Sequence, residues 1–201
     1  MIITYMTVIE IAAVILGIAS VYLTTKQNIW CWPTGLAMVA LYVYIFYTAR
    51  LYSDSIENFI YIPMQIYGWW FWVYGNKKKK DDVPVRSLKT QGILFWAAVI
   101  AAGTLAIGYY MSTYTNASFP YWDALTTVMS LTAQWLMGRK ILENWVLWIS
   151  VDVMALAIYG LKGLYFTTGL YGLFLILAIS GLLKWKNSMQ TKAGSTQLAL
   201  S

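Results

Sequence analysis

Asp152 is the residue whose type and position point most directly to chemistry. It lies about nine residues into a predicted helix over 144–161, or roughly 13 Å along the helix axis. No lysine, arginine or histidine lies in any predicted membrane-spanning segment to neutralise its charge. Because a carboxylate is costly inside a membrane, such a residue marks a functional site by default. The alternative is a packing hydrogen bond between helices, made by a neutral acid.

Aromatic side chains share the helix face that carries Asp152. Helical spacing places Trp145, Trp148 and Tyr159 along this face. Flat aromatic surfaces beside one negative charge favour a planar cation, through stacking and cation–π attraction. An interfacial tryptophan belt is the alternative for Trp145, and helix packing is the alternative for Trp148.

Two uncharged amides, Gln65 and Gln134, lie well inside other predicted helices. Each can bind a hydroxyl group of a ligand, or it can bridge two helices. Together with the aromatic face they complete a predicted substrate site of six residues: Trp145, Trp148, Asp152, Gln134, Gln65 and Tyr159.

The composition indicates the kind of protein that must position these residues. Of the 201 residues, 60% are hydrophobic and only 11% are charged, and the mean hydropathy is +0.59. A soluble domain has about twice that share of charged residues and could not bury so much apolar surface. The net charge of +6 is not spread over a water-soluble face, which disfavours nucleic-acid binding. The sequence therefore predicts an integral membrane protein.

Several classes of chemistry are excluded by what the sequence lacks. Cys31 is the single cysteine, and there is no histidine, so disulfide frameworks, thiolate metal clusters and histidine-based catalysis are ruled out. No hydrolase, intramembrane protease or phosphate-binding glycine motif is present. We expect neither an enzyme nor a cofactor, and no transport driven by ATP on this chain.

Hydropathy predicts an all-α fold with seven transmembrane helices, because about 20 apolar residues are needed for each crossing. The predicted spans are 2–25, 29–49, 58–76, 92–111, 119–138, 144–161 and 163–183. Residues 1–188 form one transmembrane domain, and the polar tail at 189–201 is expected to be disordered and cytoplasmic.

The basic residues predict the orientation in the membrane. Seven spans place 12 of the 14 lysines and arginines on one side and only Arg50 and Lys162 on the other. This bias predicts an external N-terminus and a cytoplasmic C-terminus. The lysine run at 77–80 is interpreted as a topology signal that also contacts anionic lipid.

An internal repeat relates helices 1–3 to helices 5–7. When the sequence is aligned with itself so that Trp32 matches Trp145, the two sets of helices align without a gap. Further pairs match at this same offset, at helix ends and turns: Leu23 with Leu136, Tyr52 with Tyr165, Gly68 with Gly181, and Trp72 with Trp185. The pattern predicts a 3+1+3 architecture of parallel repeats, with repeat one at about 3–76, a linking helix at 92–111 and repeat two at about 119–186. Such repeats are typical of transporters that bind substrate between the two halves.

Two segments carry a family resemblance. The first contains T-K-Q-N-I-W-C-W-P-T-G, and the second contains R-K-I-L-E-N-W-V-L-W at 139–148. These segments resemble the PnuC family of bacterial vitamin transporters, and the resemblance covers nearly the whole chain.

The resemblance implies a fold related to the SWEET sugar carriers. It also implies facilitated diffusion of nicotinamide riboside across the bacterial inner membrane, followed by trapping through a cytoplasmic kinase. The family's W-x-x-W residues, expected to line the cavity, correspond to Trp145 and Trp148, and its polar positions correspond to Asp152 and Gln134. A homo-oligomer, with a trimer as one form, is left open.

Alternatives remain within the transporter class. Nicotinamide riboside carriers of this family tend to have asparagine near the position of Asp152, and the family has thiamine and riboflavin branches. Thiamine is therefore the second candidate substrate, because it too is a planar cation. A proton-coupled carrier that uses Glu10 or Asp152 is a further alternative. A retinal protein is disfavoured, because no lysine lies inside the last predicted helix.

Overall fold

The computed structural model describes residues 2–75, 83–115 and 119–198, with side chains from 7 to 191. The described residues form seven α-helices and no strand beyond one isolated bridge. The helices are α1 (Ile2–Thr25), α2 (Cys31–Thr48), α3 (Tyr52–Tyr74), α4 (Thr90–Tyr114), α5 (Pro120–Gly138), α6 (Asn144–Leu161) and α7 (Tyr165–Leu198). The prediction of an all-α fold with seven helices is confirmed.

Five of the helices in the described ranges, namely α1, α2, α4, α6 and α7, are long and apolar enough to cross a membrane. Helices α3 and α5 carry more polar residues, among them Gln65 and Gln134. Helix α3 begins six residues earlier than predicted, because hydropathy excludes Asp54 and Glu57 from the apolar span. A helix can carry such residues when they lie on a face that is turned away from lipid.

Helix α7 continues to Leu198, so the expectation of disorder from residue 189 is corrected for 189–198. Lysine, glutamine and alanine in this stretch favour helix and extend it beyond the apolar span, which hydropathy alone does not register. The lysine run at 77–80 lies outside the described residues.

Six helices form a closed ring. Among the described residues, each contacts the next in the order α1, α2, α3, α5, α6, α7, and α7 returns to α1. Helix α4 packs against α5 and thus links the two triplets without belonging to the ring. The triplets meet at two seams, α3 with α5 and α1 with α7.

The turns within the two triplets have matching backbone geometry. Gln27 and Lys140 have φ of 55° and 52°, and Arg50 and Gly163 have φ of 62° and 71°. Both pairs have the offset that relates Trp32 to Trp145, and each turn is closed by a hydrogen bond from the next residue's N–H back to the preceding helix. This is the left-handed capping arrangement that ends helices sharply. The internal repeat remains a prediction, which these paired turns support.

Four buried tryptophans close one end of the ring, here called the tryptophan end: Trp32, Trp72, Trp145 and Trp185. Neighbouring ring centroids are 5.3–5.9 Å apart. Trp32 lies against Gly68 of α3, and Trp145 lies against Gly181 of α7, with no space for a β-carbon on either glycine. These small residues let the indole rings reach the helix backbones, which packs this end tightly.

Two of these tryptophans fasten the seams, one at each seam. Trp72 donates to the carbonyl oxygen of Met137 at 3.3 Å, and Trp185 donates to that of Thr24 at 3.0 Å. The segment before α4 covers the α5–α6 turn, since Arg86 exchanges backbone hydrogen bonds with residues 140 and 142. The carboxylate of Glu143 accepts from the Leu88 N–H.

The packing of Trp145 on Gly181 predicts that Gly181→Ala will destabilise the fold. Overpacking of this kind costs about 1–3 kcal/mol of unfolding free energy, and thermal unfolding of the purified protein in detergent measures it. Gly169→Ala, on the same helix, is the matched control, because an added β-carbon there meets nothing within 4 Å. It should be neutral or stabilising by up to about 1 kcal/mol. Equal effects of the two substitutions would contradict the tight packing.

Candidate functional site

Asp152 lies inside the ring and not against lipid. Its side chain belongs to the buried face of α6 and is 5% exposed. No other described residue makes a hydrogen bond or an ion pair with its carboxyl group. A buried acid without a protein partner is costly, so the structure does not support the alternative that Asp152 holds two helices together through a hydrogen bond.

Gln65 of α3 and Gln134 of α5 are also buried, at 6% and 5% exposure. The Gln65 Oε1 and the Gln134 Nε2 have no hydrogen-bond partner among the described residues. The Gln65 amide extends toward α2, where it and the Ser20 hydroxyl fill the space beside Gly35. Unsatisfied buried amide groups are rare in folded proteins, which makes both of them candidates for ligand binding.

These three side chains, here called the central group, lie on α6, α3 and α5. The three helices are consecutive in the ring, because α3 contacts α5 and α5 contacts α6. Asp152 is seven residues from Trp145, and Gln65 is seven residues from Trp72, so both lie roughly 10 Å above the tryptophan end. The structure thus places three buried polar residues, which the sequence singled out separately, on three neighbouring helices of the ring.

The predicted aromatic residues lie on either side of the central group along α6. Trp145 is 1% exposed and packs at right angles to Trp185, with centroids 5.5 Å apart. It is therefore part of the tryptophan end and not an exposed interfacial belt. Trp148 is half-buried and packs on the same cluster. Tyr159, toward the opposite end, stacks on Tyr171 of α7 at 5.3 Å.

Sequence reasoning missed Tyr171, Tyr61 and Glu57. Tyr171 of α7 stacks on Tyr159 with centroids 5.3 Å apart, and it lies within electrostatic range of Asp152 and Glu57. Tyr61 donates a hydrogen bond to Glu57. For Glu57 and Tyr61 the available signal was helical spacing, because both precede Gln65 at steps of four residues on α3.

A pocket of about 350 Å³ lies at the tryptophan end and not at the central group. It is lined by Gln27, Asn28, Ile29, Trp30, Trp72 and Lys140. Lys140 is 2% exposed and lies over the Trp72 ring at 4.4 Å, so it packs inside the protein instead of serving only as a surface topology charge. Among the described side chains, no cluster of acids and cysteines could hold a metal ion.

A ring of membrane helices around buried polar groups at middle depth is the arrangement of a membrane transport protein. Comparison with known proteins agrees with this class. A family model described as "Nicotinamide mononucleotide transporter" matches residues 7–187. The chain therefore belongs to this family of transporters, whose relatives include the PnuC proteins.

Two relatives show the range of the family. The nicotinamide riboside transporter PnuC of Escherichia coli strain K12 is 26% identical over 215 residues, covering 95% of this chain and 90% of the relative. The riboflavin/roseoflavin transporter RibM of Streptomyces davaonensis is 26% identical over 175 residues, covering 85% and 81%.

A crystal structure of the vitamin B3 transporter PnuC has a TM-score of 0.73 and 25% identity, covering 90% of this chain and 81% of that one. The comparisons confirm the predicted family, the membrane location and the expectation of a transporter instead of an enzyme.

The isolation of Asp152 predicts that Asp152→Asn will not destabilise the substrate-free protein. Since an unpaired buried carboxylate is removed, the unfolding free energy should rise by about 1 kcal/mol. Thermal unfolding at neutral pH measures this change. Asp123→Asn is the control, because Asp123 is an exposed acid in the first turn of α5 and should change stability by less than about 0.5 kcal/mol. A fall in stability specific to Asp152→Asn would indicate a packing hydrogen bond.

Proposed function

We propose that this protein carries a planar cationic vitamin, nicotinamide riboside first, across the bacterial inner membrane by facilitated diffusion. The observation that carries the proposal is Asp152, a buried carboxyl group with no basic partner among the described residues. A cationic substrate supplies the missing positive charge. Nicotinamide riboside is the substrate named for the PnuC relative of Escherichia coli.

In the proposed complex the positive ring of the substrate lies next to Asp152 and stacks on Trp148. Trp145 packs next to Trp148 on the side of the tryptophan end, and Tyr159 covers the substrate from the opposite end of the ring. Cation–π attraction adds to the ion pair because the site excludes water. This arrangement gives each residue of the α6 face a separate role.

The amides of Gln65 and Gln134 bind the polar groups of the substrate. One offers a free acceptor and the other a free donor, which suits the hydroxyls of a ribose or a carboxamide. Unpaired buried amides also select against analogues that lack these groups.

Transport would proceed by alternating access between two parallel three-helix repeats in a SWEET-like fold. The matched turns, Gln27 with Lys140 and Arg50 with Gly163, support this repeat. In the conformation described, the tryptophan end is closed by hydrogen bonds across both seams. Release at that end would require these bonds to break.

The tryptophan end would face the cytoplasm, with the N-terminus outside and the C-terminus inside. Basic residues support this orientation, since Lys26, Arg139, Lys140 and Lys184 all lie toward that end. A cytoplasmic kinase would then phosphorylate the vitamin and keep the gradient directed inward. A homo-oligomer, such as a trimer, is compatible with this mechanism, because no step above requires a second copy.

Thiamine is the second candidate, because Asp152 would attract any planar cation. Riboflavin, named for the Streptomyces davaonensis relative, is uncharged and would gain nothing from Asp152.

Calorimetric titration of the purified protein with nicotinamide riboside, thiamine, riboflavin and a neutral nucleoside tests the substrate. We expect the tightest binding for nicotinamide riboside. Asp152→Asn should weaken cation binding by about 1–3 kcal/mol, roughly 5- to 150-fold in Kd, and should leave neutral ligands nearly unchanged. Unaltered affinity for the cation in this variant would argue against the proposal, as would preference of the wild type for a neutral ligand.

Facilitated diffusion further predicts that uptake does not depend on a proton gradient. Initial uptake of nicotinamide riboside into proteoliposomes should be the same with and without a protonophore, because the substrate's own gradient drives it. A proton-coupled carrier that uses Glu10 or Asp152 would instead lose accumulation when the gradient collapses. Liposomes without protein provide the background rate.

A further inference from the structure

Glu57 lies on the interior face of α3 and has no part in the site proposed above. This face carries Glu57, Tyr61, Gln65, Gly68 and Trp72 at steps of four, four, three and four residues. The last three of these are buried. The same face therefore passes from the tryptophan end through the central group to Glu57, which lies about 12 Å beyond Gln65 along the helix.

Both carboxylate oxygens of Glu57 are held by neutral donors. The Tyr61 hydroxyl donates to Oε1 at 3.2 Å, and the Thr127 hydroxyl of α5 donates to Oε2 at 3.4 Å. The second bond crosses the α3–α5 seam. No lysine or arginine of the described residues pairs with Glu57, so these bonds orient the carboxylate without neutralising its charge.

Other acids surround this position, at what is here called the acidic end of the ring. Asp54 and Asp123 are exposed there and interact with each other electrostatically, and Asp54 also acts on Glu57. Deeper in the ring, Tyr171 lies within electrostatic range of both Glu57 and the buried Asp152, so these two acids face the same part of the interior. Burial thus increases in the order Asp54, Glu57, Asp152. Arg50 and Lys162 lie in the helix turns at this end as well, but among the described residues neither forms an ion pair with these acids. An excess of negative charge concentrates cations.

We infer that Glu57 is a specificity-determining residue: a second carboxylate that a cationic substrate meets on its way from the acidic end to Asp152. The inference rests on the proposed function and extends it to the choice between charged and neutral substrates. Because both oxygens of Glu57 already accept hydrogen bonds, it attracts the cation without holding it as firmly as Asp152 does. Glu57 therefore acts on entry, whereas Asp152 acts on affinity.

Glu57→Gln tests this assignment in right-side-out membrane vesicles, with two substrates of similar shape. Nicotinamide riboside is a cation, and its reduced dihydro form is neutral. At concentrations well below half-saturation, initial uptake of the cation should fall about 10-fold, at the lower limit of the range known for electrostatic steering. Uptake of the neutral form should change by less than about 2-fold, and so should the Kd of the cation measured by calorimetry. High salt should bring the wild-type rate down toward that of the variant.

Two further variants serve as controls. Glu57→Asp keeps the charge and should retain most of the cation uptake. Glu143→Gln removes a carboxylate at the tryptophan end, where Glu143 bonds Ser87, and should not alter selectivity between the two substrates.

The outcomes separate this inference from the proposed function. Normal cation uptake by Glu57→Gln, in vesicles where the wild type is active, would overturn the role of Glu57 alone. Equal loss for both substrates together with lower thermal stability would also overturn it, because it would indicate only a structural link between α3 and α5. Failure of the wild type to bind or carry nicotinamide riboside would overturn the proposed function instead.

Discussion

An unpaired acid inside a lipid-embedded helix bundle is the constraint on which the rest of the structure depends. Lipid cannot solvate Asp152, so the ring must surround it and keep it from the bilayer. That requirement explains why α3 and α5, the ring helices with the more polar sequences, lie next to each other and lead to α6. Their polar faces turn inward, and the outer surface remains apolar.

The tryptophan end provides the rigidity that such an interior needs. The indole rings of Trp32 and Trp145 pack directly on Gly68 and Gly181, and the N–H groups of the other two tryptophans, Trp72 and Trp185, fasten one triplet to the other. The acidic end has fewer buried side chains, and Asp54 and Asp123 are exposed there. The two ends of the ring are thus packed differently, with the large buried side chains concentrated at the tryptophan end.

Hydropathy predicted the number of helices and most of their boundaries, because crossing a membrane imposes a length and a composition that one sequence reveals. It could not predict which helices are neighbours. The α3–α5 seam joins segments far apart in the chain, and only this seam makes Gln65 and Gln134 part of one group. Glu57 was missed for a related reason. Hydropathy ends an apolar span at a charge, and one of the two hydroxyl groups that bind this carboxylate, that of Thr127, belongs to another helix.

When the two triplets are aligned with Trp32 on Trp145, some equivalent positions carry the same residue type and others do not. The turns, the glycines Gly68 and Gly181, and the four tryptophans of the tryptophan end match across the offset, and these are the residues that shape the ring. The polar residues of the interior do not match: in the other triplet they correspond to apolar residues, with Glu57 paired with Leu170, Gln65 with Ala178, Asp152 with Val39 and Gln134 with Val21. One wall of the interior, formed by α3, α5 and α6, therefore carries the buried acid and both buried amides, whereas the facing wall carries hydroxyl groups such as those of Ser20 and Tyr171. The two triplets thus share the residues that shape the ring, whereas the interior that they enclose presents different chemistry on its two sides.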